Sequence, residues 1–241
     1  MRMTEGSEGK GTVKNQIYEN LKQWIIEGTL KPGEKLSDVD IATRFHVSRT
    51  PVREALQQLE MQKLIKSYPG KATIVTEVET DHIEKWYLPM ISLQELAATI
   101  AIEKVTQEQI DHLKRLSEVF SSLVRSKADA IELQQADQDF HNYILQIAGN
   151  EYIIDFCNTL WIHIQRLEHR FFQKTMTLEE SVFDHEELIR DFEMRDAFSI
   201  SILTKNHWER TAMEINSINW KMENDKGIAD TKELLGGEEW G

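Results

Sequence analysis

The chain has 241 residues, 40% apolar and 29% charged, a globular composition long enough for about two domains. Four prolines, eleven glycines and one cysteine, Cys157, exclude a collagen-like chain, a disulfide scaffold and a multi-cysteine zinc module. The net charge of −13 is uneven: residues 1–75 carry 12 basic and 9 acidic side chains, net +3, and the remainder is net −16. Such asymmetry points to a polyanion-binding module joined to an acidic body, although an acidic surface by itself is common among cytoplasmic proteins.

Residues 1–12 hold three glycines and no periodicity, which predicts a flexible arm. The start MRMTEGSEGKGT has no apolar core of a secretory signal, and no apolar run approaches the roughly 20 residues of a membrane span. The expectation is a cytoplasmic protein with no membrane partner. From Val13, Ile17, Leu21, Trp24 and Ile25 recur at helical spacing and stop at Gly28. After the turn Lys31-Pro32-Gly33, Ser37 to Asp40 form a capping-box-like start for a short helix carrying Ile41, Ala42 and Phe45. The break His46-Val47-Ser48 leads to a third helix with Val52, Ala55, Leu56 and Leu59 on one face. Ser48 or Thr50 can cap it, and Pro51 fits its first turn. Leu64-Ile65 and Ala72 to Val75 then flank Ser67-Tyr68-Pro69-Gly70, a type II turn pattern in a small β-hairpin.

Beyond Val78 the pattern is helical throughout, with six helices expected near 80–103, 107–125, 128–148, 151–174, 179–194 and 196–221. Thr106 with Gln109 resembles a capping box, Gly149-Asn150 is a stop, and 175–177 is a poor helix former. Pro89 is expected to kink or interrupt the first of the six. The fold class is mainly α, a winged helix-turn-helix with a small hairpin followed by an all-helical bundle. The expected divisions are an arm at 1–12, a first domain at 13–76, a linker at 77–80, a helical domain at 81–222 and a frayed tail at 223–241.

Helix, tight turn, helix and hairpin form a DNA-reading unit whose later helix enters the major groove. Ser48, Arg49, Thr50 and Arg53 cluster at that helix's N-terminal end, with the two arginines one turn apart. Arginine can bond bidentately to guanine, whereas Ser and Thr mostly hold phosphate. Lys66, Gly70 and Lys71 lie on the hairpin, where a bare backbone can approach a groove edge. An arginine pair on an exposed helix also occurs without any DNA contact.

Gly28 to Leu36, Ile41-Ala42 and the string VSRTPVREAL from Val47 to Leu56 resemble the N-terminal domain of GntR-family bacterial transcriptional regulators. The resemblance spans about 65 residues. It implies that Arg49 and Arg53 read bases or phosphates, that Ser48 and Thr50 bind backbone, and that Gly70 sits at the wing tip. Lys63 stands where the family usually has glycine, so strain is expected at the helix exit.

Eight histidines are scattered along the chain. Asp137 and His141 are four apart and project from one helical face, and His185 and His207 lie on later helices that antiparallel packing could bring to the same depth. Three imidazoles and one carboxylate suit a divalent transition metal, Zn or Ni above all, with positions left for water or a ligand. The second part is similar to the FCD ligand-sensing domain of the FadR branch, with a helix count closer to the VanR-like subgroup. Its metal-binding members carry an Asp-x-x-x-His pair and two further histidines, which Asp137, His141, His185 and His207 match. Many relatives carry an Arg four residues before the Glu of the first domain helix; here Ile91 precedes Glu95. His163 and His169 fall off the pattern.

Together these features predict a homodimeric, DNA-binding transcriptional regulator, expected to repress at a palindromic operator, with metal-assisted binding of a small carboxylate metabolite. The alternatives are the same regulator with a metal-free pocket, or a metal-dependent hydrolase, against which no general-base motif such as H-E-x-x-H is present. No enzymatic role is expected.

Overall fold

The computed structural model describes residues 8–68, 70, 72–80, 82–171 and 178–235, with side chains from 13 to 169 and 178 to 220 within those ranges. The chain divides into two units, Met1–Glu79 and Thr80–Gly241.

The first unit runs α1 (Glu8–Ile26), β1 (Lys35–Leu36), α2 (Asp38–Phe45), α3 (Arg49–Met61), β2 (Ile65–Ser67) and β3 (Thr73–Val75). Ile17, Leu21 and Ile25 of α1 share a core with Ile41, Val52, Ala55 and Leu59, so the apolar stripes of three helices close on one another. Ser37 caps α2, its Oγ accepting from the Asp40 N–H at 3.2 Å. The sheet has three antiparallel strands in the order β1-β3-β2, with Lys35 opposite Ile74 and Ile65 opposite Val75. The expected hairpin is therefore extended by β1, a strand of two residues and too short to show period-two alternation. α1 begins five residues before Val13, on part of the expected arm.

The exit of α3 keeps Schellman hydrogen bonding with a lysine at its left-handed position. The Leu64 N–H donates to Leu59 O and the Lys63 N–H to Glu60 O, Lys63 has φ +60, and Leu64 is fully buried.

The second unit is a bundle of α4 (Glu84–Ile102), α5 (Gln107–Ser126), α6 (Ala130–Ala148), α7 (Glu151–Phe171), α8 (Leu178–Met194) and α9 (Ala197–Leu235). α4 packs on α6, α7 and α9, while α5 packs on α6 and α8. Phe120, Phe140, Phe192 and Trp208 fill the spaces between them. Thr106 and Gln109 form a full capping box, and Gly149 ends α6 at φ +61, a backbone conformation that favours glycine.

Two differences from expectation stand out. α4 continues through the exposed Pro89, so of the expected kink or interruption the interruption does not occur. α9 runs on to Leu235, well past 221, where the sequence has no apolar stripe. The expected break at 175–177 lies outside the described residues. Among the described residues no helix is long and apolar enough to cross a membrane.

Candidate DNA interface and candidate metal centre

An open cleft of about 780 Å³ separates α3 from the β2–β3 wing. Arg49, Arg53 and Gln57, at successive turns of α3, line one side, and Tyr68, Gly70 and Thr73 line the other. Ser48, Arg49, Thr50 and Arg53 are all exposed. Ser48 holds the N-cap position of α3 in extended backbone, yet its side chain makes no capping bond. Gly70 has φ +69 with open space around it, in a turn closed by the Tyr68 N–H to Ala72 O at 3.0 Å. Lys71 lies outside the described residues.

One participant escaped the sequence reading. Asp38, at the first turn of α2, accepts from Arg49 Nε at 3.2 Å and Nη2 at 2.9 Å, and from Arg53 Nε at 2.7 Å. Hydrogen bonds from Arg53 and then Arg49 hold its carboxyl below the usual carboxylate range. Eleven and fifteen residues separate the partners, so only the crossing of α2 over α3 reveals the contact.

In the second unit, Asp137 and His141 on α6, His185 on α8 and His207 on α9 each offer one ligand atom, and these atoms lie within 4.8 Å of one another. His141 Nε2 is 3.1 Å from His207 Nε2 and 3.3 Å from His185 Nε2, and Asp137 Oδ1 is 3.3 Å from His185 Nε2. The imidazoles are at most 3% exposed. Aromatic rings fix them: Phe140 stacks on His185 at 3.9 Å between centroids, and Trp208 lies against His141 at 5.0 Å.

The donor set fits an ion. A metal bonded at about 2.1 Å to two imidazole nitrogens spaces them roughly 3.0 Å apart at a right angle and roughly 3.4 Å at a tetrahedral angle, a range that contains the two separations from His141 Nε2, while Asp137 Oδ1 lies farther from that nitrogen, at 3.9 Å. His141 Nε2 faces two other ring nitrogens at once, a convergence of three imidazoles on one point. Burial lowers the proton affinity of His141 and His185, keeping both in the neutral form that ligates. Burial alone would raise Asp137, but the His185 hydrogen bond and the neighbouring imidazoles bring it below the ordinary range, so it offers an anionic oxygen.

Sequence spacing also missed the group behind His207. Its Nδ1 lies 2.9 Å from Asp184 Oδ2. A carboxylate only accepts, so Nδ1 carries the proton and the Nε2 lone pair points into the cluster. Arg210 donates to the same Asp184 oxygen at 2.5 Å. Asp139 and Glu186, the acidic neighbours of the candidate ligands in sequence, face elsewhere. The place of Asp184 one residue before His185 gives no spacing signal, because neighbours on a helix point to different faces and Asp184 meets α9.

A small cavity of about 20 Å³ adjoins the cluster, lined by Asp137 and His207 together with Gln134, Glu168, Ser181 and Thr211. Glu168 accepts from the Tyr87 hydroxyl at 3.0 Å and from Gln134 Nε2 at 3.2 Å. Ile91 is a buried apolar residue, and Glu95 accepts from Ser201 Oγ at 2.6 Å. His163 stacks on Trp86 away from the cluster.

Residues 13–75 match the family described as bacterial regulatory proteins, gntR family, and residues 90–210 match the FCD domain. The chain is 24% identical over 207 residues to the HTH-type transcriptional repressor RspR of Escherichia coli K12, covering 86% of this chain and 90% of that one. It is 28% identical over 154 residues to the uncharacterized HTH-type transcriptional regulator YdhC of Bacillus subtilis 168, covering 64% of this chain and 67% of that one. The solved structure of McbR/YncC from E. coli has the same fold, with a TM-score of 0.74 at 21% identity over 85% of this chain and 97% of that one.

Proposed function

The chain belongs to the GntR family of DNA-binding transcriptional regulators, with an FCD domain as its second unit, and from that premise we propose a metal-assisted sensor of a small carboxylate metabolite that represses as a homodimer. The convergence of Asp137, His141, His185 and His207 from three helices carries this reading. One divalent transition ion, Zn or Ni, would be held by these four side chains. When bound it supplies a Lewis-acidic centre for an oxygen ligand.

The chain's own residues do the rest. Asp184 and Arg210 keep His207 in its ligating tautomer, and the aromatic rings exclude water from the imidazoles. The adjoining cavity has room for about one water, so a carboxylate metabolite must widen it. That widening is the differential contact by which a ligand shifts the chain between DNA-competent and incompetent arrangements. In the first unit, Arg49 and Arg53 read bases, Ser48 and Thr50 hold phosphate, and Gly70 with Lys71 brings the wing to the neighbouring groove. One recognition helix per chain calls for two copies on a pseudo-palindromic site. Repression follows the named role of RspR. No catalytic step is needed, and the relatives above are regulators. A cytoplasmic setting suits a chain that must reach DNA.

The test is a thermal-shift screen of small carboxylates with and without zinc, followed by gel shifts on DNA selected from a random pool. A carboxylate that stabilises the zinc-loaded chain alone and alters its DNA affinity is expected. Stabilisation indifferent to zinc would favour the metal-free pocket.

A further inference from the structure

Arg49 and Arg53 share one acceptor. Asp38 Oδ2 takes a hydrogen bond from Arg53 Nε at 2.7 Å and from Arg49 Nη2 at 2.9 Å, and Arg49 Nε reaches the same oxygen. We propose that Asp38 is a positioning residue that orients both guanidinium groups for base reading, and so sets the selectivity of the DNA site more than its affinity. This rests on the reading of α3 as the groove-entering helix.

A guanidinium is a planar fork of five N–H donors, and guanine presents O6 and N7 to a pair of them. Arg53 engages Asp38 through Nε alone, so its outer edge, Nη1 with Nη2, is the pair left for a base. Arg49 uses Nε and one Nη, which leaves Nη1 beyond the carboxylate. Both arginine side chains are more than half exposed, at 52% and 61%, whereas that of Asp38 is 21% exposed. Left alone, such arginines would sample many rotamers; tied to a fixed oxygen, they present one edge before DNA arrives. The anchor is itself fixed, since Ser37 caps α2 and the helix N-terminus favours the Asp38 charge.

To meet a phosphate, either arginine must leave Asp38 or carry its carboxylate toward another anion. To meet guanine, Arg53 keeps Asp38 and uses its outer edge. Asp38 therefore penalises sequence-independent binding and spares specific binding, the repulsive element that discrimination requires.

The test uses the full chain and a duplex that it selects from a randomised pool, compared with a shuffled duplex of the same composition. Asp38→Asn preserves size while weakening the acceptor, and Asp38→Ser is a second variant that also suits a helix start. Both should bind the shuffled duplex several-fold tighter, and the selected-to-shuffled ratio should fall roughly tenfold. The salt dependence on shuffled DNA should steepen by about one released counterion. In an Arg53→Ala background, Asp38→Asn should change the ratio less than it does in the wild type, because one of its two partners is gone.

An unchanged ratio in both Asp38 variants, with Arg49→Ala and Arg53→Ala each losing selectivity, would overturn the role of Asp38 alone. Equal weakening on both duplexes, with lowered thermal stability, would make Asp38 merely structural and overturn it too. Full selected-duplex binding by Arg49→Ala and Arg53→Ala would instead remove α3 as the reading helix.

Discussion

The two units place their candidate functional side chains in opposite settings. In the first, the residues proposed to meet DNA fall between 48 and 71, those described are exposed, and the surrounding charge is positive. In the second, the candidate ligands run from 137 to 207, arrive from three helices, and are closed in by aromatic rings within a strongly acidic body. The contrast follows from the partners. A duplex is large and anionic, so its readers must be accessible cations on one contiguous edge. A metal ion is small and needs converging lone pairs, which only packed helices hold at separations near 3 Å.

The largest effect on this contrast is expected from the group behind the candidate metal centre. Asp184→Asn removes the carboxylate that fixes the His207 tautomer, and metal affinity should fall about 10- to 100-fold. Calorimetric titration checks this, with binding to selected DNA at saturating metal expected to remain. An unchanged metal affinity would reduce the Asp184–His207 contact to packing.

Next comes the exposed edge. Arg49→Ala or Arg53→Ala should cost about 1 to 3 kcal/mol on a selected duplex for a side chain bidentate to guanine. Metal content should be untouched in both, because the arginines belong to the other unit. Loss of metal in an arginine variant would break the separation of roles.

The same difference in setting governs what the sequence could reveal. The proposed reading edge of α3 lies within one string, VSRTPVREAL, so periodicity and resemblance pointed to it together. Asp137 and His141 were legible as a one-turn pair, whereas spacing left His185 and His207 only as candidates for antiparallel return, and the resemblance supplied the match. Asp38 and Asp184 were illegible because each acts across a helix crossing, over 11 and 23 residues respectively. The two-residue β1 was invisible for a different reason, its length, and α9 outlasted its apolar pattern because helicity and burial are separate properties.

A smaller effect is expected from pH. Burial, and then the charge of Asp137, push Glu168 up to about 8, well above the value near 4.3 of an unfolded glutamate. Between those values the folded chain holds a proton that the unfolded chain has released, so stability declines as pH rises toward 8. Without added metal, the thermal midpoint should fall from pH 6 to pH 9, and Glu168→Gln, neutral throughout, should flatten that fall. Parallel profiles for the two chains would contradict the buried acid.

The smallest change is Lys63→Gly. Lysine at φ +60 carries strain that glycine does not, so the substitution should stabilise the first unit by about 1 kcal/mol, read by denaturant unfolding. Its DNA affinity should hold, because the Schellman bonds at the exit of α3 are backbone bonds.

The most direct test of the central claim is elemental analysis with calorimetric titration on the untagged, chelator-free chain and its His185→Ala and His207→Ala variants. One divalent ion per chain is expected in the wild type and in Arg49→Ala, with affinity falling substantially in both histidine variants. Full stoichiometry at undiminished affinity in both histidine variants would contradict it.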